Sequence, residues 1–528
     1  MATGDGSTVL ALPASVTTGR ESSTFTDLRE HVDPDGVWIP GPDRVPRAAA
    51  RVRQFFDVPV VHPPLGATGG PVQRHDFGRV SIVTVQRASA LSEAVPEITA
   101  CTTSDTVESD GPNEVVLVCD DVGTTIDRTT LEASLDHAAA LVDCVPDYRT
   151  TLTVLSGRLP AAYDRYWGID RESGAVIGVF EPGERPCRNG SSADVSRAWL
   201  RVCGIGPVDG YSDAGTVVTL ELTPDRADEP DREADRDTGA RPIRSIESVA
   251  ADAFGIRAVD GVGAKTAAKL AERGVSSRRD LLELSAPELA SLPGIGSKRA
   301  RRMRQHARVL ETGNARRLST ESLPACNDAE PPLCLDIETD GLSPTILWQV
   351  GVYDPATDEY HAFVERTDPS DPGRVLESFL KWLLGGFPDR TLLTWNGWRF
   401  DYRHLEAFVG RYVPQYATEW RSVPKRDLYR WAVTDGNASL PGRTNALDDV
   451  AAALGYDGAN TGLDGAATAT AYSRFIRTGD PLEWDRHERY CEDDCRALWA
   501  VYEHLAEAPI AEDKPEPTTA GQTGLGEF

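Results

Sequence analysis

Two acids interrupt an apolar run at residues 332–338, which read Pro-Leu-Cys-Leu-Asp-Ile-Glu. The run has the character of a core strand, and its period-two geometry turns Asp336 and Glu338 to the same face. Burying an unpaired carboxylate is costly, and two on one strand face repel unless a cation lies between them. Such a strand can be kept only in a fold that brings something to these acids. Two more carboxylates are candidates for the same pocket. Asp401 closes Asn396-Gly397-Trp398-Arg399-Phe400-Asp401, and Asp494 ends Tyr490-Cys491-Glu492-Asp493-Asp494. The segment 485–505 has helical character, so Tyr490 and Asp494, spaced i and i+4, project from one helical face.

At 528 residues the chain is too long for one ordinary core. Residues 224–240 read PDRADEPDREADRDTGA, a charged stretch nearly without apolar side chains that cannot bury a core. It separates a first domain, 1–223, from the rest, and the acidic linker is placed at 224–243. A helical domain is expected over 244–317, a softer joint over 318–330, a mixed α/β domain over 331–508, and a disordered Pro-, Glu- and Gly-rich tail over 509–528. In the first domain strands are expected at 115–118, 151–155, 175–180 and 216–220, with a helix over 130–145, which favours an α/β or α+β fold. The first domain offers no defensible site; Asp120 and Asp121 read as a solvated strand end. In the last domain strands are expected at 332–338, 346–353, 359–364 and 390–395, and helices at 375–387, from near Tyr402, and at 485–505.

The net charge is −27, and only six lysines occur against 55 basic residues in all. An acidic surface in which arginine replaces lysine fits a salt-rich cytoplasm, as in halophilic archaea. The nine cysteines, an odd number without close pairs, point to reduced thiols in a cytoplasmic protein. Cys491 and Cys495 are one helical turn apart, but no further Cys/His pair completes a zinc site, so they read as packing. No stretch approaches the length of a membrane span, and no secretion signal is expected.

Residues 244–317 run against the overall charge, with 15 Lys/Arg and 8 Asp/Glu. They also contain a repeat of period 33. Val-Asp-Gly261-Val-Gly263-Ala-Lys265 recurs as Leu-Pro-Gly294-Ile-Gly296-Ser-Lys298. Each copy reads as helix, Gly-x-Gly turn, helix. Glycine permits a left-handed turn and close approach, and free N–H groups at the start of the second helix suit an anion. The repeat resembles the tandem helix-hairpin-helix module, and the resemblance implies backbone contacts to DNA or RNA through Gly261, Gly263, Lys265, Gly294, Gly296 and Lys298. Asp260 departs from the family pattern and weakens the first anion site.

The acid-bearing segments resemble the DEDD (DnaQ-like) exonucleases of the ribonuclease H-like fold. Asp336-x-Glu338 followed by Thr339-Asp340-Gly341-Leu342 is similar to their first motif, Asn396-Gly397-x-x-Phe400-Asp401 to the second, and Tyr490-x-x-x-Asp494 to the third, in the tyrosine-bearing (DEDDy) subclass. The run Tyr490 to Leu498 is especially similar to the YprB-type ribonuclease H-like domain. The match spans about 175 residues, a third of the chain. It implies a C-terminal mixed-sheet domain that binds two ions of Mg²⁺ or Mn²⁺ and hydrolyses phosphodiester bonds from a 3′ end. Asp336 would bridge the ions, Glu338 and Asp494 complete one site and Asp401 the other, while Tyr490 orients a water and Asn396 positions the substrate strand. Hard oxygen ligands suit these ions, which stabilise attacking and leaving oxygens together. Glu492 and Asp493 read as solvated surface acids and His487 as packing or surface.

Two functions from different classes fit these features: a metal-dependent 3′–5′ exonuclease, and a non-catalytic nucleic-acid-binding repair scaffold. Related architectures place a RecB-like nuclease ahead of a hairpin module. Those nucleases use a catalytic lysine, and the first lysine of this chain is Lys265, so an active nuclease of that pattern is not expected in 1–223. The sequence names no protein partner.

Overall fold

The computed structural model describes residues 7–39, 46–61, 72–77, 80–85, 90–102, 114–119, 124–126, 133–135, 137–145, 151–160, 163–180, 196–206, 216–222, 245–326, 328–341, 343–366, 371–459, 461, 463, 465–479 and 482–511. The expected acidic linker and the Asp120–Asp121 pair lie outside the described residues. The chain divides into two compact units, Met1–Ala258 and Val259–Phe528.

The first unit holds two larger sheets. In the five-stranded one, Ser7–Ala11 pairs in parallel with Gly36–Trp38 and antiparallel with Thr216–Leu222, which in turn pairs with Ser245–Ala250. Leu10, Leu12, Phe25, Leu28, Val37 and Phe254 form its core. The helical module expected from 244 therefore begins later, because 245–250 has a strand partner in this unit. The seven-stranded sheet is mixed and is built on Thr151–Pro160 and Arg197–Gly206, with Trp167, Ile169 and Leu200 buried against it. The helix expected over 130–145 is only half present. Ala133–Leu135 is a strand, and Ala138–Asp143 is the helix. His137 between them is left-handed, at φ 61°, which stops a helix from running through.

The second unit begins with four helices, α1 (Ala264–Ala271), α2 (Arg278–Glu283), α3 (Ala286–Ala290) and α4 (Ser297–Thr312). Ser277 and Ser285 start α2 and α3 with reciprocal capping boxes. Beyond them lies a five-stranded sheet of β1 (Leu333–Thr339), β2 (Leu347–Asp354), β3 (Glu359–Val364), β4 (Leu392–Thr394) and β5 (Lys425–Asp427), in the order β3-β2-β1-β4-β5. β1 runs antiparallel to β2 and parallel to β4. One face of the sheet, with Leu335, Ile337 and Val350, packs on α5 (Gly373–Gly386) and α6 (Asp401–Tyr412) through Phe379, Leu405 and Phe408. On the other face Cys334 and Leu393 pack with Cys495, Leu498 and Val501 of the long helix α7 (Trp484–Glu507).

The hairpin and sheet modules are joined by more than chain. Arg316 and Arg317 pair with Ser439 and Ala438, and Ala315 and Leu323 enter the core under α7. The stretch expected as a soft joint is thus folded into this unit. The expected tail also starts ordered: Arg317 N–H donates to the Pro509 carbonyl at 3.1 Å and Ala511 N–H to the Arg317 carbonyl at 2.7 Å.

Candidate metal centre and nucleic-acid interface

Because Cys334 lies under α7, the residues two and four further along β1, Asp336 and Glu338, share the α7 face. Opposite them across the antiparallel pair stand Gly351 and Gln349. A Cβ on Gly351 would lie 2.5 Å from Cys491 Sγ and 2.6 Å from the Tyr360 hydroxyl, so the bare backbone there lets α7 close over the acids. Asp401 is the first residue of α6 and is buried. Tyr490 and Asp494, one turn apart, project from α7, and Asp494 acts electrostatically on the Tyr490 hydroxyl.

The loop that delivers Asp401 is tightly specified. Asn396 is left-handed at φ 66°, a conformation asparagine tolerates better than most residues. A Cβ on Gly397 would lie 2.0 Å from Thr394 Oγ1, so only glycine fits. Asp427, at the end of β5, then accepts hydrogen bonds from Asn396 N–H at 3.0 Å, Trp398 N–H at 3.1 Å and Arg430 N–H at 3.0 Å. Tyr402 N–H donates to the Gly397 carbonyl at 2.8 Å and launches α6. The sequence reading missed Asp427. Its place at the end of the short strand Lys-Arg-Asp carries no local signal, because two of its three partners, Asn396 and Trp398, come from a loop about thirty residues earlier.

The acids are held in an environment that resists their ionisation. Burial raises Asp336 and Glu338 well above the ordinary carboxylate range; Asp494 and Asp401 act on Asp336 in the same direction, as do Asp336, Asp494 and Asp401 on Glu338. Burial also carries Asp401 and Asp494 up to about 7. None of the four pairs with a lysine or arginine among the described residues. Glu338 is 6 % exposed, and its Oε1 is buried without a hydrogen-bond partner. Burial and the neighbouring Asp494 keep the Tyr490 hydroxyl protonated, so it acts as a donor. This set of hard oxygens, mutually repelling and short of positive charge, fits divalent cations.

Neighbouring residues sort out around it. Cys491, expected as packing, is buried and donates its thiol to Asp336 Oδ2 at 3.4 Å. Asp336, Glu338 and Cys491 offer three ligand atoms within 4.8 Å of one another. His487 packs edge-on to Trp348, as expected. Asp493 departs from the expectation of a solvated acid: it accepts from the Tyr456 hydroxyl at 2.8 Å and from Ala459 N–H at 3.0 Å, and so anchors the 456–459 loop to α7. Glu492 pairs with Arg496 at 2.7 Å.

In the hairpin module the repeat is borne out in backbone terms. Gly261 and Gly294 are left-handed at φ 84° and 85°. Gly263 and Gly296 are the N-caps of α1 and α4, with no side-chain cap, and a Cβ added at either would meet nothing within 4 Å. Internal packing does not demand these two glycines; they leave the helix N–H groups open to an outside surface. Lys265 and Lys298 follow, both exposed. Arg299 ties the copies together, donating to the carbonyls of Gly261 and Gly294 and, at 3.0 Å, to Thr266 Oγ1. Asp260, beside the first turn, meets Arg302 at 3.2 Å.

Residues 333–506 match the family model of the RNase_H superfamily, and residues 256–308 match that of the SAM-like helix-hairpin-helix tandem. The chain therefore carries a ribonuclease H-like superfamily domain preceded by a tandem helix-hairpin-helix domain. Together these point to a nuclease that binds nucleic acid. No curated protein matches the chain. Among the described residues no helix is long and apolar enough to cross a membrane.

Proposed function

We propose that this protein is a metal-dependent 3′–5′ exonuclease of the tyrosine-bearing DEDD type. What supports the reading is that Asp336 and Glu338 bring ligand oxygens within 4.8 Å of one another, that Asp401 and Asp494 act on both electrostatically, and that among the described residues none of the four has a basic partner. These four would hold two Mg²⁺ or Mn²⁺ ions, which when bound neutralise charge at the scissile phosphate and activate water. The Tyr490 hydroxyl, steered by Asp494, orients the attacking water. Asn396, fixed by its strained backbone and by Asp427, lines the approach of the substrate strand. The uncapped starts of α1 and α4, with Lys265 and Lys298, take the sugar-phosphate backbone by amide–phosphate hydrogen bonds. Those directional bonds matter more in concentrated salt, where counterion release contributes less.

The test is a nuclease assay in concentrated KCl with end-labelled DNA and RNA, with and without Mn²⁺. Release of 5′-mononucleotides that needs the ion and disappears in Asp336→Ala and Asp401→Ala supports the reading. Metal-independent binding through 244–317 with no cleavage would replace it with a scaffold.

A further inference from the structure

Cys491 is not used by the hydrolytic reading, yet its thiol sits against the carboxylate assigned to bridge the two ions. Its Sγ lies 3.4 Å from Asp336 Oδ2. With metal–oxygen and metal–sulfur bonds of the usual lengths, a tetrahedral ion sets an oxygen–sulfur separation of about 3.5 Å. Little movement is therefore needed for one ion to touch both. Glu338 supplies an independent sign: it is more than nine-tenths buried, Oε1 has no hydrogen-bond partner, and a carboxylate oxygen lies within 4.8 Å of both other donors. Gly351 is what allows the sulfur to come so close, since any larger residue would occupy its place.

We propose that Asp336, Glu338 and Cys491 form an O,O,S centre for a thiophilic divalent cation of the Zn²⁺ class, an alternative loading of this pocket that excludes the hard-ion pair. Mg²⁺ has little affinity for thiolate, whereas Zn²⁺ and Co²⁺ accept mixed oxygen and sulfur ligands. As the metal–sulfur bond forms, the thiol proton passes to water. Asp336 and Glu338 are then withdrawn from the set that Asp401 and Asp494 complete, so a thiophilic ion inhibits hydrolysis. This inference rests on the reading of Asp336 and Glu338 as metal ligands.

The experiment titrates the reduced, metal-free full chain with Co²⁺ and follows the near-ultraviolet sulfur-to-cobalt charge-transfer band, which requires a thiolate ligand. The wild-type band is expected to saturate at about one ion per chain and to be lost in Cys491→Ser, with circular dichroism confirming that the variant is folded. Glu338→Gln keeps the thiol and is expected to raise the half-saturation concentration by roughly tenfold or more. A band equally strong in Cys491→Ser, no band in the wild type, or an unchanged titration in Glu338→Gln would overturn the centre. Mn²⁺-dependent cleavage by the wild-type chain is read in parallel. Cleavage without the band removes only the O,O,S centre; the band without cleavage removes only the hydrolytic reading.

Discussion

Gly351 and Asp427 each act through what they leave room for or hold still. Gly351→Ala puts a methyl 2.5 Å from Cys491 Sγ and 2.6 Å from the Tyr360 hydroxyl, and the Cys491 contact is with the helix that carries Tyr490 and Asp494. Overpacking of this kind costs about 1–3 kcal/mol; the variant is expected to melt lower and to lose more activity than stability, measured by calorimetry and by the nuclease assay. Asp427→Ala orphans the N–H groups of Asn396 and Trp398 in the Asn396 loop and that of Arg430 just after β5, each worth about 1 kcal/mol net. Its expected signature is a fall in stability together with weaker Mn²⁺ binding, partly restored in Asp427→Asn. The carboxyls themselves make a pH prediction. Asp401 and Asp494 are raised from 3.8 to about 7 by burial. A folded-state value above the unfolded one contributes stability that is complete at low pH and is lost as pH rises through the folded value. The divalent-free chain is therefore expected to melt progressively lower between about pH 4 and about pH 7, with saturating Mn²⁺ flattening that slope. A melting temperature rising with pH would contradict the picture of unpaired buried acids.

At the scale of elements, the hairpin helices separate folding from binding. Gly261 and Gly294 are needed for left-handed turns, but Gly263 and Gly296 have conformations open to any residue, at φ −83° and −81°. Serine is a good N-cap. The double variant Gly263→Ser, Gly296→Ser is expected to keep or raise the melting temperature, because each new hydroxyl caps its own helix. By occupying the N–H groups a phosphate would use, it is also expected to weaken nucleic-acid binding by roughly tenfold. Retained affinity, measured by fluorescence anisotropy, would mean that these helix starts do not grip the backbone. The elements that were legible in sequence were those with strong periodicity or turn chemistry: β1, the β2–β3 hairpin, α5, α7 and the glycine repeat. The helix expected over 130–145 failed because periodicity does not register a left-handed residue such as His137.

At the scale of the molecule, the hairpin and sheet modules share one compact unit, Val259–Phe528. A fragment of residues 259–528 is expected to fold and to retain ion-dependent cleavage, whereas one of residues 331–508 loses the Arg316–Arg317 pairing and the core contacts of Ala315 and Leu323 and is expected to be less stable. Calorimetry of both fragments checks this. The order and spacing of residue types determined much by themselves. Two acids two apart on an apolar strand must share a face, and residues four apart on a helix must do the same. These are consequences of local geometry. What only the tertiary structure decided are distances between segments far apart in the chain: the thiol of Cys491 beside Asp336, the Asn396 and Trp398 amides gathered by Asp427, Asp493 anchoring a loop instead of facing water, and residues 245–250 completing a sheet that begins at Ser7. Periodicity records which way a side chain points along its own element, but not what another element will place in front of it.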